Sequence, residues 1–131
     1  MTKDNFEEQL FHLLQDIYFD NIDNAKADEA VEAIHPQVRW VHNQVWEHDA
    51  HETNIRDILN GQKEVRDFLR KRIIEMQIEG IIHKVENVVS DGKLGAFKAN
   101  VIGTDKSKKP FFGLVELKDD KIIYYRVLPQ E

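Results

Sequence analysis

Apolar residues at three- and four-residue spacing (Phe6, Leu10, Leu13, Leu14, Ile17) predict an amphipathic helix over residues 4–20. Asp4 and Glu7 stand three apart at its start, the spacing of a capping box. A polar break over 21–27 leads to a short second helix over 28–34, with Ala30, Val31 and Ile34 facing inward. His35-Pro36 should end it, because proline disfavours helical geometry in the residue before it. A strand over 38–42 follows, carrying Trp40 and His42 on one face. Residues 43–60 have no clean period, although Ile55, Ile58 and Leu59 suggest a helical turn. Beyond Asn60-Gly61 the strongest helix runs to Gly80, with Val65, Phe68, Leu69, Ile73 and Met76 inside and Arg66, Arg70 and Lys71 outside.

After Gly80 the period falls to two. Strands are predicted over 81–89 and 94–102 about the tight-turn pair Asp91-Gly92, then over 111–117 and 122–128 about Asp119-Asp120, with a polar loop over 104–110. Helix, helix, strand, short element, helix and four meandering strands make an α+β domain spanning 1–131. Its economical architecture is a cone-shaped, curved antiparallel sheet wrapped around three helices, and such a sheet leaves a central hollow suited to a small apolar molecule. Phe111, Phe112, Leu114, Tyr124 and Tyr125 offer more apolar surface than one core face needs, which points to a homodimer.

Composition narrows the function classes. The chain has 24 acidic and 18 basic residues, a net charge of −6, so no basic face is available for nucleic acid. The short runs Arg70-Lys71-Arg72 and Lys106 to Lys109 read as a solvated helix face and a turn. No apolar stretch is long enough for a membrane span, and no signal-peptide h-region follows Met1, so a cytoplasmic location is expected. Cysteine is absent, which removes disulfides, thiolate metal sites and a cysteine nucleophile. No phosphate-cradling loop, dinucleotide fingerprint or nucleophile elbow occurs, so no cofactor is expected. His48 and His51 sit three apart within Glu47 to Glu52. Nothing nearby completes a zincin pattern, and the segment reads as a polar loop or dimer edge with no metal.

Several phrases, in this order, resemble the SnoaL-like family of the nuclear transport factor two-like superfamily. They are Ile22-Asp23, Ala27 to Ala30 and His35 to Trp40; then Asn60 to Leu69; then His83 to Val89 with Asp91-Gly92; and finally Lys121 to Ile123 with Arg126. The likeness covers almost the whole chain and is specific for a fold rather than an activity. It implies that Asp23 and His83 meet in the pocket, as the matching pair does in scytalone dehydratase. A carboxylate on one imidazole nitrogen fixes the tautomer and leaves the other for acid/base work. The alternative for this pair is a structural hydrogen bond closing the cone. Tyr18 falls where ketosteroid isomerase has an oxygen-polarising tyrosine, and His42 where that enzyme has its aspartate base. The isomerase's second acid would fall near Phe112-Gly113, where no acid stands, which argues against a true ketosteroid isomerase. Tyr18 also reads as a core aromatic and His42 as a surface histidine at a strand end.

Trp40, Phe97 and Val101 are expected as ligand wall or core, and Trp46 as a lid, an exposed side chain or a dimer contact. Two functions fit. One is a cofactor-free lyase or isomerase acting on a small apolar carbonyl compound through the Asp–His pair. The other is a non-catalytic hydrophobic-ligand-binding or dimerising module.

Overall fold

The computed structural model describes residues 3–43 and 56–129. Its N-terminal helix runs from Lys3 to Asp23 in three registers: α1 (Lys3–Phe11), a π-helical stretch (His12–Phe19) and α2 (Asp20–Asp23). The i→i+5 spacing is seen where the Asp20 N–H reaches the Gln15 carbonyl. This wider turn brings Leu13, Leu14, Gln15, Tyr18 and Phe19 all to the buried side, while Ile17, expected inward, is only partly buried.

The second helix is shorter than its sequence pattern suggests. α3 (Ala27–Ala30) passes through one 3₁₀ turn (Val31–Ala33), and β1 (Ile34–Asn43) begins four residues earlier than expected. His35-Pro36 therefore lies within the strand, not at a helix end. Proline has no N–H for the ladder, and β1 shifts register between Ile34 and Arg39. The Gln62 amide donates to the Val31 and Ile34 carbonyls at this junction. Where a helical turn was suggested, residues 56–60 form a strand, β2 (Arg56–Asn60), drawn into register by antiparallel pairing with β1.

α4 (Gln62–Glu79) starts after Gly61 at φ 92° and stops at Gly80 in the left-handed region, where the Gly80 N–H closes on the Met76 carbonyl. The four remaining strands are β3 (Ile82–Ser90), β4 (Leu94–Ile102), β5 (Lys108–Lys118) and β6 (Lys121–Pro129). Both hairpins fall where the turn residues place them. Asp119 and Asp120 take φ 53° and 61°, the two positive values of the turn that matches strand twist. The sheet order is β2-β1-β6-β5-β4-β3, and the β1–β6 pair is parallel, so the expected curved sheet is mixed rather than purely antiparallel.

Helices cover the concave face. Gly95 on β4 allows α1 to seat directly on the sheet, since a Cβ there would lie 2.3 Å from a methyl of Leu10. Phe111 and Tyr125 point inward and are buried. Of the four aromatic residues that offered surplus apolar surface, only Phe112 and Tyr124 lie on the outer face, because alternation sends adjacent residues to opposite sides. No described helix is long and apolar enough to cross a membrane.

Candidate functional site

Asp23 ends the N-terminal helix and His83 is the second residue of the edge strand β3. One Asp23 oxygen, Oδ2, accepts the His83 backbone N–H at 2.7 Å; the other, Oδ1, lies 2.6 Å from the ring Nδ1. A carboxylate at Nδ1 requires the proton to sit there in the neutral ring, so Nε2 carries the lone pair. Phe19 stacks on the imidazole at 5.1 Å and 7°, and Phe111 meets it edge-on, which fixes the ring plane. Both side chains of the pair are about nine-tenths buried, at 10% and 12% exposure. Gln15, two helical turns earlier, donates to the His83 carbonyl at 3.0 Å and accepts the Val85 N–H at 2.7 Å. Asp23 and Gln15 thus stand in for a missing neighbouring strand along β3.

A second polar group lies beneath β1. Trp40 Nε1–H donates to the Tyr18 hydroxyl at 2.9 Å, and the Tyr18 and Tyr125 hydroxyls share a further hydrogen bond. Burial pushes both phenols well above their ordinary range; for Tyr125 the neighbouring Tyr18 adds to the effect. Trp40 lies between two parallel rings, His42 at 5.1 Å and Tyr125 at 5.8 Å.

These groups share one cavity of about 60 Å³, room for a few waters or a short ligand fragment. Tyr18, Trp40, His42, His83 and Val101 line it, together with Phe19, Phe111 and Tyr125. Phe97 does not line it: it packs one layer behind, against Phe19, Phe111 and Tyr125. Trp46, His48 and His51 lie outside the described residues. No group of three or more metal-ligating side chains occurs among the described residues.

The opposite wall comes from α4 and was missed in the sequence. Phe68, Leu69, Arg72, Glu75, Met76 and Glu79 face the cavity. Arg72 was assigned with Arg70 and Lys71 to a solvated face, yet its side chain is only 10% exposed. Its position was readable: 65, 69, 72 and 76 form one helical stripe, and charge alone argued against following it through Arg72. Arg72 donates to Glu75 at 2.6 Å and its guanidinium centre lies 6.0 Å from the Phe68 ring. Desolvation lowers its pKa, against the opposing pull of Glu75 and Asp57. Asp57 of β2 stands directly opposite His42 of β1 in the strand register.

No family model matches the sequence, and no curated protein matches it significantly. Solved structures do. A candidate ketosteroid isomerase from Kribbella flavida superposes with TM-score 0.64 at 18% identity over 95% of this chain and 80% of that one. An LEH-like epoxide hydrolase from M. tuberculosis gives 0.64 at 15% identity, covering 95% and 84%. An NTF2-like protein of unknown function from Mesorhizobium loti gives 0.62 at 12% identity, covering 95% and 93%. At such identities a likeness carries fold and not activity. The chain has the fold of nuclear transport factor two-like proteins.

Proposed function

We propose that this protein is a cofactor-free lyase or isomerase of the SnoaL-like kind, moving a proton on a small, largely apolar carbonyl compound. The observation that carries this reading is the Asp23–His83 geometry, which leaves Nε2 of a cavity-lining histidine as the base. His83 Nε2 takes the proton from the carbon next to the carbonyl. The electron pair moves onto the carbonyl oxygen, which accepts a hydrogen bond from the Tyr18 hydroxyl. Trp40, donating to the Tyr18 oxygen, and Tyr125, hydrogen-bonded to it, hold that phenol in place. His42 stacks on Trp40 at the cavity wall, where it can serve as a second polar contact for the substrate. Isomerase, hydrolase and unassigned proteins share this fold, so the reading rests on the site and not on the neighbours.

A second reading is favoured by Gln15, which with Asp23 fastens the β3 edge: the pair would then be structural, and the cavity a binding site without chemistry. Substitution at Asp23 separates the two. An asparagine can still accept the His83 backbone N–H, but its amide then donates to Nδ1 and moves the ring proton to Nε2. Exchange of the α-protons of methyl levulinate into D2O, followed by NMR, should fall by about 10²–10⁴ in Asp23→Asn, with unfolding stability within about 1 kcal/mol of wild type. Wild-type protein giving no exchange above buffer, or Asp23→Asn exchanging at the wild-type rate, supports the structural reading.

The protein is further proposed to pair with a second copy across the outer sheet face. Phe112, Leu114 and Leu128 are 43%, 52% and 40% exposed there, on the central strands rather than at an edge. Arg126 and Lys98 flank them, and Glu86, held by Lys98, supplies the opposite charge for a self-complementary contact.

A further inference from the structure

The proton-transfer proposal leaves Arg72 without a task, and burial makes its presence costly. An arginine on the inner stripe of a helix must be compensated, and an apolar residue would ordinarily fill that place. A guanidinium has five N–H donors. Among the described residues Arg72 makes one hydrogen bond, to Glu75, while its side chain is nine-tenths buried and lines the cavity. The desolvation of Arg72 outweighs the attraction of Glu75 and Asp57, so the site still favours another negative group. Glu75 is the partner nearer to water: its side chain is 33% exposed at the cavity rim, one turn along α4.

We propose that the ligand of this cavity carries a carboxylate, which docks in bidentate fashion on Arg72 in place of Glu75 and sets the carbonyl end toward Tyr18 and His83. Only the placement of the carbonyl end rests on the proton-transfer reading. A planar fork meeting a planar carboxylate gives both charge and orientation, which a lysine at this position would not. Phe68, against which the guanidinium packs, holds the fork's plane. Tyr18 and Arg72 would then grip the two ends of a short keto acid, and the apolar rings between them would exclude water. The acidic rim (Glu75 and Glu79) makes entry selective, since an anion is admitted only where it replaces Glu75 as the partner of Arg72.

The test uses pyruvate, 2-oxobutanoate and levulinate, each against its methyl ester, with n-pentylamine as a cationic probe, titrated into ¹⁵N-labelled full-length protein. At least one of the acids should bind about tenfold or more tighter than its ester. Arg72→Gln should erase that preference, and Glu75→Gln, which frees Arg72, should increase it several-fold. The proposal is overturned if none of the acids binds, if esters or the amine bind equally well, or if the acid-to-ester ratio survives in Arg72→Gln. Should Arg72→Gln fail to fold, Glu75→Gln decides: an unchanged or smaller ratio overturns the proposal. Exchange of methyl levulinate α-protons that is lost in His83→Gln, with no carboxylate preference, keeps the catalytic reading and rejects this one. A carboxylate preference without any exchange does the reverse.

Discussion

Replacing Tyr18 by phenylalanine removes one oxygen and leaves two buried polar groups without their partner. Trp40 Nε1–H donates to that oxygen and the Tyr125 hydroxyl is hydrogen-bonded to it, and the three residues are 98–99% buried. Each buried polar group left without a partner costs about 1–3 kcal/mol, so the gross loss is about 2–6 kcal/mol. Removing the Tyr18 hydroxyl also removes the cost of burying it, which returns about 1 kcal/mol. A net loss of about 1–5 kcal/mol, centred near about 3 kcal/mol, is expected. Tyr125→Phe is the internal control. It breaks one hydrogen bond and leaves Tyr18 still accepting from Trp40, so its cost should be about 1 kcal/mol. The difference, about 2 kcal/mol, is roughly a 30-fold change in the folding equilibrium. Urea unfolding followed by far-UV circular dichroism measures it, with equal m-values confirming that only stability changed. Fluorescence is the poorer probe, because the variant alters the surroundings of Trp40 directly. If Tyr18→Phe proves no less stable than Tyr125→Phe, the assignment of Tyr18 as the shared partner of Trp40 and Tyr125 is wrong. The same variant should lose about 10²-fold in proton exchange if that phenol polarises the substrate oxygen.

Three further outcomes are expected. Tyr18 and Tyr125 have folded pKa values above the unfolded value, so their stabilisation is whole below about pH 10 and is lost as pH rises beyond it. Two such phenols steepen alkaline loss of stability by up to about 2.7 kcal/mol per pH unit, and Tyr125→Phe should halve that increment; an unchanged slope in urea titrations from pH 9 to 12 counts against it. A Cβ at Gly113 would lie 2.1 Å from the Phe97 ring, so Gly113→Ala should destabilise by about 1–3 kcal/mol. Combining it with Phe97→Leu should cost less than the sum of the two, and strict additivity in the double-mutant cycle would exclude the clash. Leu114→Glu should turn a sedimenting dimer into a monomer while urea stability of the monomer shifts by no more than about 0.5 kcal/mol; a wild-type monomer at micromolar concentration rejects the pairing.

The element order was legible because it follows from local chemistry: the stripe of α4, Gly80 as its stop, Asp91-Gly92 and Asp119-Asp120 as turns. What escaped the sequence was decided by contacts between distant residues. β2 has too little hydrophobic alternation to declare itself, and it is a strand because Arg39 to Asn43 pair with it. The π-helical register cannot be read from spacing that also suits an α-helix, yet it is what turns Phe19 onto His83. Adjacent aromatics at 111–112 and 124–125 each placed one ring on either face, and only the strand register says which. Tyr125, Phe19 and Gln15 were therefore missing from the site, although each holds one of its expected members.

Asp23 and His83 were found through a resemblance, and the structure gives the physical reason the pair suits this position. The edge strand β3 leaves the His83 N–H without a neighbouring strand, and the carboxylate of Asp23 at the helix end reaches it. Once one oxygen of that carboxylate is fastened to the backbone, the other falls on the same residue's ring. Fastening the fold and orienting the imidazole are thus one act of geometry, performed by two oxygens of one side chain. The backbone contact alone would serve any residue at 83. The second oxygen finds its partner because that residue is a histidine, and the same histidine lines the cavity.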